Sequence, residues 1–202
     1  MILKENPDVL VMGSPLLFQV QPAVDTAEIH HPDFQRNLTI LKEAQFSSGG
    51  IGIAGPQVGW AARVFTMGLC EKGRERYPQA PDIPFSIWIN PEITALSEET
   101  CWGWEGCLSV PGMRGWVERP KTASIKGLNP SGEVISADFD GFAARVMLHE
   151  FDHLNGRLYP TLVEDTSLII PDQAMAFQED WPEGWPTENA RKTLRGTLSD
   201  DR

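Results

Sequence analysis

Cysteine is scarce in this chain: Cys70, Cys101 and Cys107 are all that 202 residues contain. Three is too few, and odd, for the framework of bridges that staples a small secreted domain. In a reducing compartment an unpaired cysteine is most often a small buried hydrophobe, so any chemistry must come from its surroundings. Positive charge is short as well. Lys and Arg number 17 against 28 Asp and Glu, a formal net charge of −11. That balance excludes a surface that tracks nucleic-acid phosphates, and with it direct DNA binding. Long apolar runs are missing too. Thr161-Leu-Val163 and Ser167-Leu-Ile-Ile-Pro171 fall far below the ~20 residues a membrane-spanning helix needs. The opening Met1-Ile-Leu-Lys-Glu-Asn-Pro-Asp8 has neither the basic flank nor the apolar stretch of a secretory leader, and Glu5 and Asp8 argue against a mitochondrial one. A cytoplasmic protein without a membrane partner is expected.

What is present reads as a globular chain. Hydrophobic residues make up 41% and charged ones 22%, enough apolar content to close a core. No linker or repeat divides it, so residues 1–202 are expected to form a single domain, with 164–202 a C-terminal extension to which no structure is assigned. Asp33 is a fair N-cap for a helix that runs to Ser48, with Leu38, Leu41 and Ala44 as its apolar stripe and Gly49-Gly50 as its stop. Arg63–Met67, Phe85–Ile89, Thr122–Lys126 and Glu133–Ala137 carry the β-branched and aromatic content of strands. The turn cluster Gly127–Gly132 makes the last two a hairpin. Gly141 to Asn155 reads as a second helix, closed by Gly156. The stretch from Cys70 to Pro84 reads as a surface loop, Trp181–Pro186 as turn-rich, and Asn189–Arg202, with its small basic cluster Arg191, Lys192 and Arg195, as a frayed polar tail.

The second helix carries His149-Glu150-Phe151-Asp152-His153, an H-E-x-x-H pattern. Two histidines four residues apart share one helical face and can grip one metal ion, leaving the glutamate beside an open coordination position. The plainer alternative is a helix with two solvent-facing histidines. Against it, histidine is rare here, four in all, and half of them fall within five residues. Phe142, Val146, Leu148 and Leu154 make the helix apolar and central, and a buried imidazole then needs a partner for its second nitrogen.

Catalytic zinc-type sites usually have three protein ligands and a water. The metalloprotease pattern H-E-x-x-H-x-x-G-x-x-H comes close, since Gly156 is in place, but Tyr159 stands where the third histidine belongs. Glu164 and Glu179 could serve a peptidase of the other class, but neither sits in a recognisable context. Upstream, Trp104-Glu-Gly-Cys107-Leu-Ser-Val-Pro-Gly112 offers a cysteine beside a glycine that permits close approach. A thiolate with two imidazoles suits zinc, iron or cobalt.

Three segments then resemble one family, the peptide deformylases. They are Gly50-Ile-Gly-Ile-Ala-Gly-Pro-Gln57-Val-Gly59, Glu105-Gly-Cys107-Leu-Ser109 and His149-Glu-Phe-Asp-His153, in the family's order and spacing. The resemblance implies an α+β fold, with strands in small antiparallel or mixed sheets wrapped around the helix that carries the third motif. It implies removal of the formyl group from the N-terminal methionine of newly made proteins, so the partners are N-formylmethionyl nascent peptides and, transiently, the ribosome. Cys107, His149 and His153 become ligands of one divalent metal, Fe2+ in the first place, with Zn2+, Ni2+ or Co2+ as substitutes. Glu150 becomes the general acid and base for metal-activated water, while the Gln57 amide and the Leu108 backbone N–H stabilise the oxyanion. By position, Ile51, Gly52, Phe142 and Val146 would line the methionine pocket, although core packing explains the apolar three equally well. Glu105 would stand behind the metal ligands, and Arg119 would pair with Asp152. One departure concerns the first motif, where Ala54-Gly55 replaces the family's usual Ala-Ala or Ser-Ala. A glycine there loosens the backbone by ~1 kcal/mol relative to alanine, which bears on how firmly Gln57 is held.

Overall fold

The computed structural model describes residues 2–78, 80–182 and 184–186; the predicted polar tail and its basic cluster lie outside these. A 17-residue helix, α1 (Pro32–Ser48), comes first. Its cap differs from expectation. The Nδ1 of His31 accepts from the backbone N–H of Asp33, and Pro32 opens the helix, as suits a residue with fixed φ and no N–H to leave unpaired. Asp33 sits in the first turn, where its charge meets the positive end of the helix. Gly49 ends α1 at φ 68°, a left-handed backbone that glycine adopts without penalty.

Two antiparallel sheets follow. The larger has the order β1 (Gly52–Ala54), β2 (Val64–Met67), β3 (Ser86–Leu96), β6 (Thr122–Leu128), β7 (Val134–Asp140). The smaller has the order β4 (Thr100–Cys107), β5 (Val110–Pro120), β8 (Ile169–Pro171). The expected hairpin is β6–β7, in unbroken register from Thr122 opposite Asp140 to Leu128 opposite Val134. Residues Cys70–Pro84 are not wholly a loop, because a short helix α2 (Glu71–Arg76) stands within them. β3 runs past Ile89 to Leu96, with irregular register around Glu92 and Ala95.

Side chains of the larger sheet alternate between two cores, as the pleat requires. Ile53, Val64 and Ile89 join Leu38 and Leu41 of α1 on one face. Ala54, Phe65 and Trp88 join Ala144, Met147 and Leu154 of α3 (Gly141–Leu154) on the other. Burial on both faces is why β2 carries no exposed position. The second helix thus lies against the larger sheet, while β5 of the smaller sheet approaches its other side. Among the described residues no helix is long and apolar enough to cross a membrane.

Candidate active site

Helix α3 delivers two imidazoles and strand β4 a thiol to one point. The ligand-type atoms of Cys107, His149 and His153 all lie within 4.8 Å of one another, and His153 Nε2 is 3.3 Å from Cys107 Sγ. His149 Nδ1 lies 2.9 Å from Glu105 Oε2. An ionised carboxylate can only accept, so Nδ1 carries a proton toward Glu105 and the opposite ring nitrogen faces the thiol. His153 is 1% exposed and its Nδ1 finds no partner among the described residues, so the carboxylate or carbonyl expected behind each imidazole exists for His149 alone. A buried imidazole, a second one largely buried and a sulfur converging on one point fit a divalent metal of the zinc, iron or cobalt kind.

Behind the donors lies a buried ionic network. Glu105 accepts from Arg119 Nε at 2.8 Å and Nη2 at 3.0 Å, and from Arg145 Nη1 at 2.8 Å. Arg119 also donates to Asp152, the pairing anticipated from sequence. Burial alone would raise the Glu105 pKa, but Arg119, His149 and Arg145 hold it well below the usual carboxylate range. Burial likewise opposes charge on His149, yet its bonds to Cys107 and Glu105 hold its pKa well above the ordinary value. In His153 burial and the neighbouring His149 both push the pKa down. The two imidazoles are thus shifted in opposite directions, His149 toward and His153 away from the charged form.

Glu150 stands one residue from His149 and is 4% exposed, with Oε2 lacking a hydrogen-bond partner among the described residues. Burial raises its pKa to about 7, with His149 opposing. Gln57 is anchored through Oε1, which accepts from the Ala54 N–H at 2.8 Å, so its Nε2 is turned toward Ser109 Oγ at 3.1 Å and Cys107 Sγ at 3.5 Å. One cleft is lined by Ile51, Gly52, Gln57, Glu105, Cys107, Leu108, Phe142, Val146, His149 and Glu150. Asp152, Arg119 and His153 lie behind these. The cleft thus brings together every residue expected to touch substrate.

Residues 7–167 match the polypeptide deformylase family. The chain belongs to that family. Peptide deformylase 2 of Pseudomonas putida is 42% identical over 158 residues, spanning 78% of this chain and 88% of that protein. Peptide deformylase 1 of Bordetella pertussis is 41% identical over 170 residues, spanning 81% and 94%. A Met-Ala-Ser-bound class I type b peptide deformylase from Acinetobacter baumannii superposes with a TM-score of 0.73 at 35% identity, covering 81% of this chain and 99% of that one. The chain is accordingly a metal-dependent hydrolase that deformylates nascent peptides.

Against the deformylase pattern, the Ala54-Gly55 departure has a structural reason. A Cβ on Gly55 would stand 2.9 Å from the carbonyl oxygen of Trp60 and 3.1 Å from that of Ala62. The loosened backbone is therefore pinned by close packing, and the Gln57 carbonyl further accepts from the Leu10 N–H at 2.7 Å. Tyr159, at the position that would be a third histidine in a protease, is fully buried and stacks on His149 with ring centroids 6.4 Å apart. It packs behind the deformylase site. Sequence reasoning missed Tyr77, Trp104, Arg114 and Arg145, which also line the cleft. Trp104 opens the segment that carries Cys107, so its nearness to the cysteine in sequence was the available signal; Tyr77 was hidden in the expected loop.

Proposed function

We propose that Cys107, His149 and His153 hold one divalent ion, ferrous iron in the native protein, and that Glu150 moves the proton during deformylation. The observation that carries this reading is a buried carboxylate with one oxygen unpartnered among the described residues, placed beside a three-donor group of which Cys107 and His149 line the same cleft and His153 lies just behind. The chain around it forms one catalytic domain, with 164–202 as its C-terminal extension. A thiolate with two imidazoles suits iron as well as zinc or cobalt. When bound, the ion supplies Lewis acidity, which makes water a nucleophile near neutral pH.

The protein supplies the rest. Glu150 accepts the proton of the attacking water, a step suited to a carboxyl raised to about 7 by burial. It returns that proton to the departing amine, so the C–N bond breaks with a neutral leaving group. Gln57 Nε2 and the Leu108 backbone N–H donate to the oxygen of the formyl carbon as its charge grows. Ile51, Phe142 and Val146 offer the apolar wall for a methionine side chain, and Gly52 leaves room for Glu150. The neighbour that binds Met-Ala-Ser supports a methionine-first peptide in this cleft. Because the substrate is a nascent chain, we place the work in the cytoplasm, within reach of the ribosome.

The test is Glu150→Gln. Metal content should stay at the wild-type level, while kcat on a formyl-methionyl peptide falls by about 10²–10⁴. KM should change much less, and an internal peptide bond should not be cleaved by either protein. Loss of metal together with activity would make Glu150 a ligand, and near-normal kcat would assign the proton transfer elsewhere.

A further inference from the structure

The family match ends at residue 167, yet the chain beyond it returns to the cleft at two places. Strand β8 adds to the edge of β5, setting Ile170 opposite Arg114. Two residues further on, Asp172 accepts from Arg114 Nε at 2.6 Å. Arg114 lines the cleft, as does Tyr77. The second place is aromatic. Trp104, 7% exposed and lining the cleft, packs against Trp181 and Trp185 with ring centroids 5.6 and 6.0 Å away. Those two indoles hold each other edge to face at 4.6 Å.

A flexible tail would not stack three indoles and pair a guanidinium that is mostly buried. Both anchor points fall on residues whose other side faces the cleft. Resting on the reading of that cleft as the substrate site, we propose that the segment Ile169–Trp185 is a positioning element of substrate binding. Trp181 and Trp185 fix the plane of Trp104, and Asp172 fixes the reach of Arg114, so that one wall of the cleft is set before the peptide arrives. Among the described residues no hydrogen bond or ring contact joins Asp172, Trp181 or Trp185 to the metal donors or Glu150, so the segment governs binding and leaves the chemistry alone.

The experiment compares Trp181→Ala/Trp185→Ala, Trp181→Phe/Trp185→Phe and Asp172→Asn with the wild type in the full chain. Steady-state kinetics on formyl-Met-Ala-Ser and metal content are read together. Loss of the two ring contacts should raise KM roughly tenfold, with kcat within about twofold and metal unchanged. The Phe pair should restore most of the KM, since it keeps the aromatic packing. Asp172→Asn, which leaves the tryptophans in place, should raise KM by a smaller factor on its own. An unchanged KM in both the alanine and asparagine variants would overturn the proposal. Parallel loss of metal, kcat and folded protein in Asp172→Asn would reduce the segment to a structural strap and overturn it too. Failure of the wild type to deformylate would instead overturn the reading of the cleft.

Discussion

Replacing Glu105 by glutamine tests how the network behind the donors is balanced. Four donor atoms converge on this carboxylate: two of Arg119, one of Arg145 and His149 Nδ1, at 2.8 to 3.0 Å. Glu105, Arg119, Arg145 and Asp152 are each 8% exposed or less. The buried charges are two guanidiniums and two carboxylates, which cancel. Glutamine removes one negative charge and turns an NH2 group toward donors that need an acceptor. Breaking a buried pair in this way costs about 3–5 kcal/mol, a large share of the ~5–15 kcal/mol that holds a domain folded. Urea unfolding of the metal-free protein should therefore show a midpoint lower by about 1–3 M. Adding Arg145→Gln restores the balance of charge, so the double variant should be more stable than the sum of singles predicts, by about 1–3 kcal/mol. A single-variant loss below ~1 kcal/mol, or an additive cycle, would refute the argument that these charges are interdependent.

Three further outcomes are expected. Cys107→Ser should lose metal through gel filtration as read by elemental analysis, whereas Cys70→Ser and Cys101→Ser should keep it; full occupancy in the first would remove Cys107 from the donor set. A Cβ added at Gly52 would fall 2.5 Å from Glu150 Oε1 and 2.7 Å from its Cγ. Gly52→Ala should therefore swing that side chain aside and lower kcat by about 10²-fold with metal retained, and a kcat near wild type would show that the carboxylate has freedom to spare. Iron-loaded enzyme prepared without oxygen should lose activity in air faster than nickel- or cobalt-loaded enzyme, because ferrous iron and a half-buried thiolate at the cleft both oxidise; equal decay would count against iron.

Both long helices and the β6–β7 hairpin were legible because local signals agreed with their surroundings: apolar spacing, glycine stops and a turn-rich connection. The donor constellation was legible too, since helical spacing puts His149 and His153 on one face whatever else the chain does. Strands β4 and β5 were not. Thr100–Cys107 mixes a threonine, a glutamate and two cysteines with two tryptophans and two glycines, and Val110–Pro120 includes two prolines and two glycines. Their inward residues, Glu105 and Arg119, are charged, so no alternation of apolar and polar marks them as strands. They pair with each other, and Arg145 and Asp152 of α3 complete the balance that makes their burial tolerable, from 40 and 33 residues away. Gly115 shows the same limit. A Cβ there would meet Tyr159 and Val163 at 2.7 Å, so it is a close-approach position inside a strand. The cap of α1 was misplaced by two residues because a histidine nitrogen did the work usually given to aspartate.

The donor set straddles a division in the molecule. Cys107 closes a strand of the small sheet, whereas His149 and His153 stand on a helix whose apolar side is packed on the large one. Between them runs a seam of charge where elsewhere there is hydrocarbon. On the proposed ligand set, an ion would be gripped from both sides like a rivet, and by mass action every tenfold rise in its free concentration above Kd would add about 1.4 kcal/mol to whatever keeps the halves together. Opening at the seam would then be a sub-global event, felt by the amides of β4 and β5 before those of α1 and β2. Metal supply in the cell would set how long each copy of the enzyme survives as well as how fast it turns over.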